Sequence, residues 1–295
     1  MKALYDVPAP AKLNLFLHVI GRRSDGYHLI QSVFMLIDWC DTLHFELRTD
    51  GHISRTDLVK ALGSDSDIAL PDDDLSVRAA KALKAACGTT LGVHISLEKR
   101  IPSQAGMGGG SSDAASCLLA LQQLWGVKLP RQQLMQIALR LGADVPFFLS
   151  GGNAWVEGVG EHITPIALPP ADFLVVKPPL GVSTPLIFAS SALKRNTDTA
   201  TMTGFTACSA PEIFGFGRND LQPVASSFCS QIQQAVDWFG TQQLSAKMTG
   251  SGSAVFACLP NGFCAEIQPH PHGWSARKCS NLQAHPLVGW QQKHV

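Results

Sequence analysis

A glycine-rich segment in the first half of the chain ends in two hydroxyls and a carboxylate. Residues 102–114 read Pro-Ser-Gln-Ala-Gly-Met-Gly-Gly-Gly-Ser-Ser-Asp-Ala. An alternating strand pattern precedes the segment and a helical pattern follows it, so its backbone N–H groups would lie at the positive end of a helix dipole. A simple tight turn also uses glycine, but four glycines and two serines in this context favour phosphate binding. The predicted phosphate ligands are Gly106, Gly108, Gly109, Gly110, Ser111 and Ser112.

The segment differs from two common phosphate-binding motifs. A Walker A loop ends in Gly-Lys-Ser/Thr, whereas the next lysine after these glycines is Lys128. The dinucleotide fingerprint requires a third glycine, but the sixth residue counted from Gly106 is Ser111, and the sixth from Gly108 is Asp113. The sequence therefore predicts a phosphate-binding turn of a third kind.

An aspartate follows the end of a predicted helix. Asp144 lies in the run Gly-Ala-Asp-Val-Pro-Phe-Phe at 142–148. Its carboxylate could accept hydrogen bonds from nearby backbone groups, as aspartates at such positions often do. Alternatively, a partly buried aspartate near a lysine is suited to general-base catalysis, which contributes ~10²–10⁴-fold in rate. The residues alone favour neither interpretation.

A lysine interrupts an apolar strand pattern near the start of the chain. Lys12 opens the alternating segment 12–19, and Asn14 follows two residues later. A single strand lysine usually lies on a solvated face or protects a sheet edge. Because strand side chains repeat every second residue, however, Lys12 and Asn14 would point to the same side of the strand. That placement would direct both polar groups toward one site.

Three aromatic side chains and a second glycine-rich turn could provide further ligand contacts. Tyr27 and His28 follow an Asp-Gly turn, and Phe188 follows the dipeptide Thr184-Pro. Packing is the simpler interpretation of these rings, and a clamp around a flat base is the alternative. The run Gly250-Ser-Gly-Ser would offer a second nest of N–H groups to a ligand with phosphates at both ends.

The composition limits the classes of partner. The 295 residues carry a formal net charge of zero and no basic run, which argues against nucleic-acid and membrane-surface binding. The eight cysteines include no Cys-x-x-Cys pair, so we expect reduced thiols rather than disulfides or a metal site. The first residues lack the apolar core of a signal peptide, and no apolar run approaches the roughly 18 residues of a membrane span. We therefore expect a cytoplasmic protein.

The order of the predicted elements favours an α+β fold, because strands and helices alternate irregularly. A break at the glycines 151–152 and 158–160 suggests two domains, residues 1–157 and 158–295. Residues 191–217 are polar and show weak periodicity. The predicted strands are 12–19, 27–37, 42–47, 93–97, 173–176 and 254–259. The predicted helices are 75–86, one after the glycine-rich turn up to Trp125, one from Pro130 to Leu141, and 224–239.

Four segments together resemble the GHMP family of small-molecule kinases. They are Pro10-Ala-Lys-Leu-Asn-Leu, the run 102–114, Gly142-Ala-Asp-Val-Pro and Met248-Thr-Gly-Ser-Gly-Ser. The resemblance spans nearly the whole chain in the same order. It implies a first domain like ribosomal protein S5 domain 2, a ferredoxin-like second domain, and an active site in the cleft between them.

Three further runs resemble one branch of that family. They are Gly21-Arg-Arg-Ser-Asp-Gly-Tyr-His, the run 181–188, and Asn219-Asp-Leu. This branch phosphorylates the 2-hydroxyl of methylerythritol linked to cytidine diphosphate, in the non-mevalonate route to isoprenoid precursors. The resemblance implies that the chain uses ATP and Mg²⁺ on this small-molecule substrate, as a monomer or weak homodimer. It does not assign the Mg²⁺ ligands, beyond placing a serine hydroxyl near the ion.

The resemblance also implies roles for individual residues. Asp144 would take the proton from the 2-hydroxyl, and Lys12 would keep that carboxylate ionised and offset charge on the transferred phosphoryl. The glycine-rich turn at 106–112 would hold the ATP phosphates. The implied substrate contacts are Tyr27 and Phe188 on the two faces of the cytosine, His28 on its polar edge, Asn14, Thr184, and Gly250 and Ser251 near the diphosphate.

The chain departs from the family pattern at two places, and two other functions compete. Asp74 stands where the family commonly has asparagine beside the adenine pocket, and residues 103–105 replace the usual lead-in to the turn. A GHMP kinase acting on homoserine or a mevalonate-like alcohol is one competing function, but such substrates have no base for Tyr27 to stack on. A non-catalytic nucleotide- or RNA-binding relative is the other. Neutral charge argues against RNA, and the presence of Lys12 and Asp144 argues against an inactive enzyme.

Overall fold

The computed structural model describes residues 2–59, 70–260, 262 and 270–290. In the first half, the strands are β1 (Ala3–Arg22), β2 (His28–Arg48), β3 (Ile53–Val59), β4 (Gly92–Glu98), β5 (Ala154–Gly158) and β6 (His162–Pro165). The helices there are α1 (Leu75–Cys87), α2 (Gly109–Trp125), α3 (Arg131–Leu141) and α4 (Val145–Ser150).

The second half contains smaller elements. Its strands are β7 (Asp172–Lys177), β8 (Ala246–Met248), β9 (Val255–Cys258) and β10 (Ser275–Ser280). Its helices are α5 (Thr184–Ala189), α6 (Met202–Thr206), α7 (Ala210–Gly215), α8 (Gln222–Phe228) and α9 (Ser230–Thr241), and a 3-10 turn spans Val288–Trp290.

The first sheet is built around a long antiparallel hairpin of β1 and β2. Its register pairs Lys12 with Leu36 and Asn14 with Phe34. The predicted strands 27–37 and 42–47 are therefore parts of one strand. The polar residues between them break the alternation in the sequence, but the ladder continues there because Pro10 pairs with Cys40.

The first sheet has the order β3-β4-β2-β5-β6, with β1 also paired to β2. Helix α2 packs against β1, α1 and α4. It is buried around most of its circumference, as expected for a helix that is apolar on nearly all faces. This central position places the start of α2, and the glycine-rich turn before it, against the middle of β1.

The second sheet has the order β10-β7-β9-β8 and packs against α8 and α9. The prediction of one helix over 224–239 is wrong in detail, because the chain forms two helices. Cys229 separates them in an extended conformation, with φ −139° and ψ 96°. Phe228, the last residue of α8, is 54% exposed.

The irregular segment 191–217 contains two short helices that the weak periodicity did not predict. Phe205 of α6 is buried and lies near Phe16 of β1 and Trp155 of β5. Phe214 of α7 lies edge-on to Phe173 of β7. The segment thus fills the junction between the two sheets, where long-range packing rather than local periodicity determines its structure.

The chain passes from the first sheet to the second between β6 and β7. It later returns to the first sheet, where Leu282 donates to the Leu36 carbonyl at 2.9 Å and His285 to the Gly151 carbonyl at 2.9 Å. The predicted α+β class is confirmed, because helices pack on two sheets whose strands are antiparallel except for the β3–β4 pair. The division at residues 157/158 stays a prediction. None of the helices in the described ranges is long and apolar enough to cross a membrane.

Candidate active site

A cavity of about 1580 Å³ lies between the two sheets, and most of the predicted site residues line it. Its lining includes two groups of predicted residues: the glycine-rich turn with Lys12 and Asp144, which we call the reacting end, and Tyr27, His28 and Phe188, which we call the aromatic end. Residues of both halves of the chain contribute, since Thr184, Gly250 and Ser251 also line it. The fold therefore brings residues from sequence positions 12 to 252 to one site.

The glycine-rich turn approaches its neighbours so closely that it needs glycine at two positions. Gly106 and Gly108 have φ of 72° and 70°, in the left-handed region that favours glycine. A Cβ at Gly108 would lie 3.0 Å from Phe148 and 3.3 Å from the Lys12 side chain. Gly108 is also the N-cap of α2, so the turn presents the free backbone N–H groups of a helix start to the cavity.

The two serines after the glycines do not line the cavity as the four glycines do. Gly106, Gly108, Gly109 and Gly110 line the cavity, but Ser111 and Ser112 are not among its lining residues. Ser112 is fully buried, and its hydroxyl has no hydrogen-bond partner within the described ranges. Their place as phosphate ligands stays a prediction.

The second glycine-rich turn packs directly on the first. A Cβ at Gly106 would lie 2.2 Å from the Thr249 carbonyl oxygen, and one at Gly250 would lie 2.6 Å from the Gly106 carbonyl oxygen. Asn219 holds this second turn, because its side-chain amide donates to the carbonyls of Met248 and Gly250, both at 2.8 Å. The two turns therefore form one wall of the cavity.

Thr184 and Ser251 meet across the cavity wall, with their hydroxyl oxygens 2.6 Å apart. Thr184 opens α5, and Phe188 lies four residues later on the same helix. Residues spaced by four share a helix face, so α5 directs a hydroxyl and an aromatic ring into the same space.

Lys12 is buried, which rules out a solvated strand face. Its side chain is 3% exposed. The ammonium donates to the carbonyl of Gly106 at 2.8 Å and to the side-chain oxygen of Asn14. Burial lowers the pKa of Lys12, and the Asp144 carboxylate opposes that shift by favouring the charged form. The predicted same-side placement of Lys12 and Asn14 is confirmed.

Asn14 is occupied by protein contacts on both ends of its amide. Its oxygen accepts from Lys12, and its nitrogen donates to the Ser32 hydroxyl at 2.9 Å. Its backbone N–H donates to the Thr249 hydroxyl at 2.9 Å. The geometry therefore indicates that Asn14 orients Lys12, in addition to lining the cavity.

Asp144 faces the cavity and makes no capping contact. It precedes α4, but its carboxylate accepts no hydrogen bond at the start of that helix. Instead, a carboxylate oxygen lies 3.8 Å from the Lys12 ammonium, and the side chain is 32% exposed. The capping interpretation is therefore wrong, and the carboxylate is left available to a ligand.

The aromatic end is more open. Tyr27 is 65% exposed, and its position is set by the turn before it, since the Asp25 carboxylate accepts from its backbone N–H at 3.2 Å. The rings of His28 and Phe188 are 4.9 Å apart between centroids and tilted by 34°. All three side chains line the cavity, and their role as a clamp around a base stays a prediction.

Comparison with known proteins places this site in a family. The sequence pattern described as GHMP kinases N terminal domain matches residues 74–152. A 4-diphosphocytidyl-2-C-methyl-D-erythritol kinase from Polaromonas sp. (strain JS666 / ATCC BAA-500) is 68% identical, over 98% of this chain and 95% of that protein. The chain belongs to the 4-diphosphocytidyl-2-C-methyl-D-erythritol kinase family.

Other relatives agree with this placement. A family member from Variovorax paradoxus (strain S110) is 57% identical, over 98% of this chain and 99% of that protein. A crystal structure of 4-(cytidine 5'-diphospho)-2C-methyl-D-erythritol kinase superimposes with a TM-score of 0.73 at 32% identity, covering 93% of this chain and 98% of that one. A homoserine kinase from Cytophaga hutchinsonii shares the fold, with a TM-score of 0.68 at 16% identity and 97% and 96% coverage.

The kinase contains a buried charged group that the sequence reading missed. The Lys99 ammonium lies 2.8 Å from the Asp113 carboxylate and also contacts Asp41. Asp41 is fully buried and also accepts from the backbone N–H groups of Arg100 and Ile101 at 2.6 and 2.8 Å. This group ties both ends of the glycine-rich turn, residues 99 and 113, to strand β2. A charged residue at each end of the turn was the available signal.

The charges in this group do not balance. Burial alone would lower the pKa of Lys99, but Asp113 and Asp41 outweigh it and raise that pKa. Burial raises the pKa of Asp113, Lys99 opposes that shift, and Asp41 adds to it. Because one ammonium cannot neutralise two carboxylates, the group favours a further cation or a proton at Asp113. One oxygen of Asp113 has no hydrogen-bond partner within the described part of the chain.

The aspartate that departs from the family pattern has a partner in this kinase. Asp74 caps α1 by accepting from the Val77 N–H at 3.0 Å. It also forms an ion pair with Arg55 at 2.8 Å. Arg55 also pairs with Asp57 at 2.8 Å, so it offsets only part of the charge that Asp74 adds to this part of the cavity wall.

Proposed function

We propose that the chain works in the cytoplasm as an ATP-dependent kinase of the 2-hydroxyl of 4-diphosphocytidyl-2-C-methyl-D-erythritol, in the non-mevalonate route to isoprenoid precursors. The observation that carries the proposal is the placement of three features in one cavity. A buried lysine beside an uncapped aspartate, a glycine-rich helix start and a cluster of aromatic rings all line it. This set matches a substrate that carries an alcohol, a diphosphate and a base.

In this proposal Asp144 is the general base. Its carboxylate is free of capping contacts and accessible from the cavity. It would accept the proton of the 2-hydroxyl as the hydroxyl oxygen bonds to the γ-phosphorus and the bond to the leaving ADP oxygen breaks.

Lys12 would supply positive charge next to the reacting oxygens. Two of its three N–H groups are used by Asn14 and Gly106. The third is left for Asp144 or for an oxygen of the transferred phosphoryl. Because the ammonium is held by protein on two sides, it would not need to reorganise during the reaction, which is the main requirement for electrostatic catalysis.

The start of α2 would hold the ATP phosphates. Its N-cap is a glycine with positive φ, and the turn exposes backbone N–H groups at the positive end of a long helix. Both features favour phosphate oxygens. The second turn, at Gly250 and Ser251, would approach the diphosphate of the substrate, and the Thr184 hydroxyl would join it through its contact with Ser251.

The donors at the start of α2 fit a Mg²⁺ ion that enters with ATP. The unpartnered Asp113 oxygen is a buried hard donor on a residue that lines the same cavity, and Mg²⁺ in kinases binds through one or two carboxylates together with substrate phosphates and water. The Ser112 hydroxyl is a second unpartnered oxygen nearby in the sequence. When bound, Mg²⁺ would neutralise charge on the phosphates of ATP.

Tyr27, His28 and Phe188 would bind the cytosine. The exposed Tyr27 ring is available for stacking, and His28 presents polar atoms beside the Phe188 ring. Base–aromatic stacking contributes about 1–3 kcal/mol per base. Homoserine and mevalonate carry no base, so these rings would have no function with either.

The test is ADP release in the presence of ATP and Mg²⁺, with the cytidyl compound, homoserine and mevalonate assayed side by side. We expect turnover with the cytidyl compound only. Turnover with a simple alcohol only would support the proposed roles of the phosphate turn, Lys12 and Asp144. It would contradict the proposed cytidine site. No turnover with any of the three would contradict the proposed function.

A further inference from the structure

An arginine from the irregular segment between α5 and α6 is locked against the aromatic end of the cavity. The Arg195 guanidinium donates to the carbonyls of Phe188 at 3.0 Å, Ser190 at 2.7 Å and Leu193 at 3.0 Å. Its Nε donates to Nε2 of His28 at 2.9 Å. Together these four hydrogen bonds fix the orientation of the guanidinium. They therefore also fix which nitrogen of His28 it faces.

This contact determines where the proton of His28 lies. A guanidinium has five N–H donors and no acceptor, and it stays protonated in proteins. Nε2 of His28 must therefore be the acceptor, without a proton. A neutral imidazole with Nε2 as acceptor carries its proton on Nδ1. Among the described residues, none accepts a hydrogen bond from that Nδ1–H, so it is free for a ligand in the cavity that His28 lines.

The surroundings of His28 also keep the ring neutral. The charged groups that act on it are Arg195, from the segment after α5, and Arg22, from the end of β1, while the Phe188 ring covers it from α5. Burial lowers the pKa of His28, and both guanidiniums lower it further. The ring therefore offers one hydrogen-bond donor of defined position rather than two.

We propose that Arg195 is a positioning residue that fixes His28 in the Nδ1–H tautomer, so that the kinase reads a pyrimidine through a single donor. This inference rests on the proposed cytidine substrate. Cytosine has an unprotonated N3 that accepts such a hydrogen bond, whereas N3 of uracil carries a proton and is itself a donor. The fixed tautomer would therefore favour cytidine over uridine, and it gives the segment 191–217 a role in recognition.

The first experiment measures the tautomer without any substrate. Two-dimensional ¹⁵N–¹H NMR of the imidazole rings distinguishes Nδ1–H from Nε2–H, with His28→Gln assigning the His28 signals. We expect the neutral Nδ1–H form in the wild type and its loss or mixing in Arg195→Met, with a higher pKa for His28. Arg277→Met, an exposed arginine outside the cavity, should leave the His28 signals unchanged. An Nε2–H ring in the wild type would overturn the proposal even if Arg195→Met does not fold.

The second experiment measures specificity. KM would be compared for the cytidyl substrate and its uridyl analogue in the wild type, Arg195→Met, Arg195→Lys and Arg277→Met. We expect the preference for cytidine to fall about ten-fold in Arg195→Met, the size of one lost hydrogen bond, mainly through KM. Lysine should not restore it, because it lacks the fork that reaches three carbonyls. An unchanged preference in Arg195→Met would overturn the proposal.

The two readouts separate this inference from the proposed function. If the wild type phosphorylates neither pyrimidine compound, the proposed function fails, while the NMR result still decides whether Arg195 sets the tautomer. If the wild type is active and Arg195→Met retains the Nδ1–H ring, the proposed function stands and the positioning role of Arg195 is refuted.

Discussion

The two ends of the cavity are built in different ways. At the reacting end, Lys12 is held by buried polar contacts to Asn14 and the Gly106 carbonyl, on long elements of the first sheet. At the aromatic end, Tyr27 is largely exposed and follows a turn. Phe188 lies on the six-residue helix α5. The first end is determined by the core, and the second by local turns and one arginine.

This difference suggests a division of labour. Phosphoryl transfer depends mainly on positioning and fixed charge, which a buried lysine held by two hydrogen bonds can provide. Base recognition by stacking tolerates small movements, because a flat ring has a large contact area. We therefore expect substitutions at the reacting end to reduce kcat or stability, and substitutions at the aromatic end to raise KM for the alcohol substrate.

Replacing Asp144 gives the largest expected change in rate. Asp144→Asn keeps the shape but removes the base, so kcat should fall about 10²–10⁴-fold with ATP affinity nearly unchanged. Steady-state ADP release and equilibrium titration of a nucleotide analogue would measure the two quantities. Turnover close to that of the wild type would exclude Asp144 as the base.

Removing Lys99 should cause the largest loss of stability. Lys99→Met leaves the carboxylates of Asp41 and Asp113 buried without their cation, which should lower the free energy of unfolding by about 3–5 kcal/mol. Urea denaturation would measure it. The control is Lys81→Met, because Lys81 pairs with Asp73 at 2.6 Å on the surface and should contribute at most about 1 kcal/mol. Equal losses in the two variants would contradict a structural role for the buried group.

A side chain at the glycine-rich turn should weaken ATP binding. Gly108→Val adds atoms where Phe148 is 3.0 Å from a Cβ and imposes strain at φ 70°, a cost of about 1–3 kcal/mol. KM for ATP should rise ten-fold or more. Gly126→Val, at φ 66° with no atom near its Cβ, controls for strain alone. Normal ATP affinity in Gly108→Val would contradict the assignment of this turn as the phosphate site.

Truncating the exposed ring tests the aromatic end. Tyr27→Ala should raise KM for the cytidyl substrate by about five-fold or more, from a stacking contribution of about 1–3 kcal/mol, and leave KM for ATP unchanged. Tyr5→Ala removes the other tyrosine, which is 61% exposed and lies outside the cavity, and should change neither constant. A rise confined to KM for ATP would show that the clamp is misplaced.

The sequence predicted the reacting end better than the aromatic end. Lys12 and Asn14 were placed on one side of a strand by period alone, and the glycine-rich turn was identified by its composition. Helix α1 ends at Cys87, one residue beyond the predicted 75–86, and Gly88 caps it with φ 67°. These features depend on local rules that do not change with tertiary context.

The features that the sequence did not predict depend on contacts far apart in the chain. Arg195 and His28 are separated by 167 residues, and Lys99 and Asp41 by 58 residues. The break at Cys229 was also not predicted, because the apolar helical period continues through it although the backbone there is extended. The chain contains many arginines, lysines and carboxylates, and only the fold determines which of them lie in contact.

One measurement tests the central claim that a single cavity joins the aromatic end to the reacting end. The wild-type kcat/KM would be compared for the cytidyl substrate and for 2-C-methyl-D-erythritol 4-phosphate, which has the same 2-hydroxyl but no cytidine. If remote binding at Tyr27, His28 and Phe188 positions the alcohol at Asp144, the truncated compound should lose about 10²-fold or more, with kcat reduced as well as KM raised. Equal values of kcat/KM for the two compounds would contradict the account.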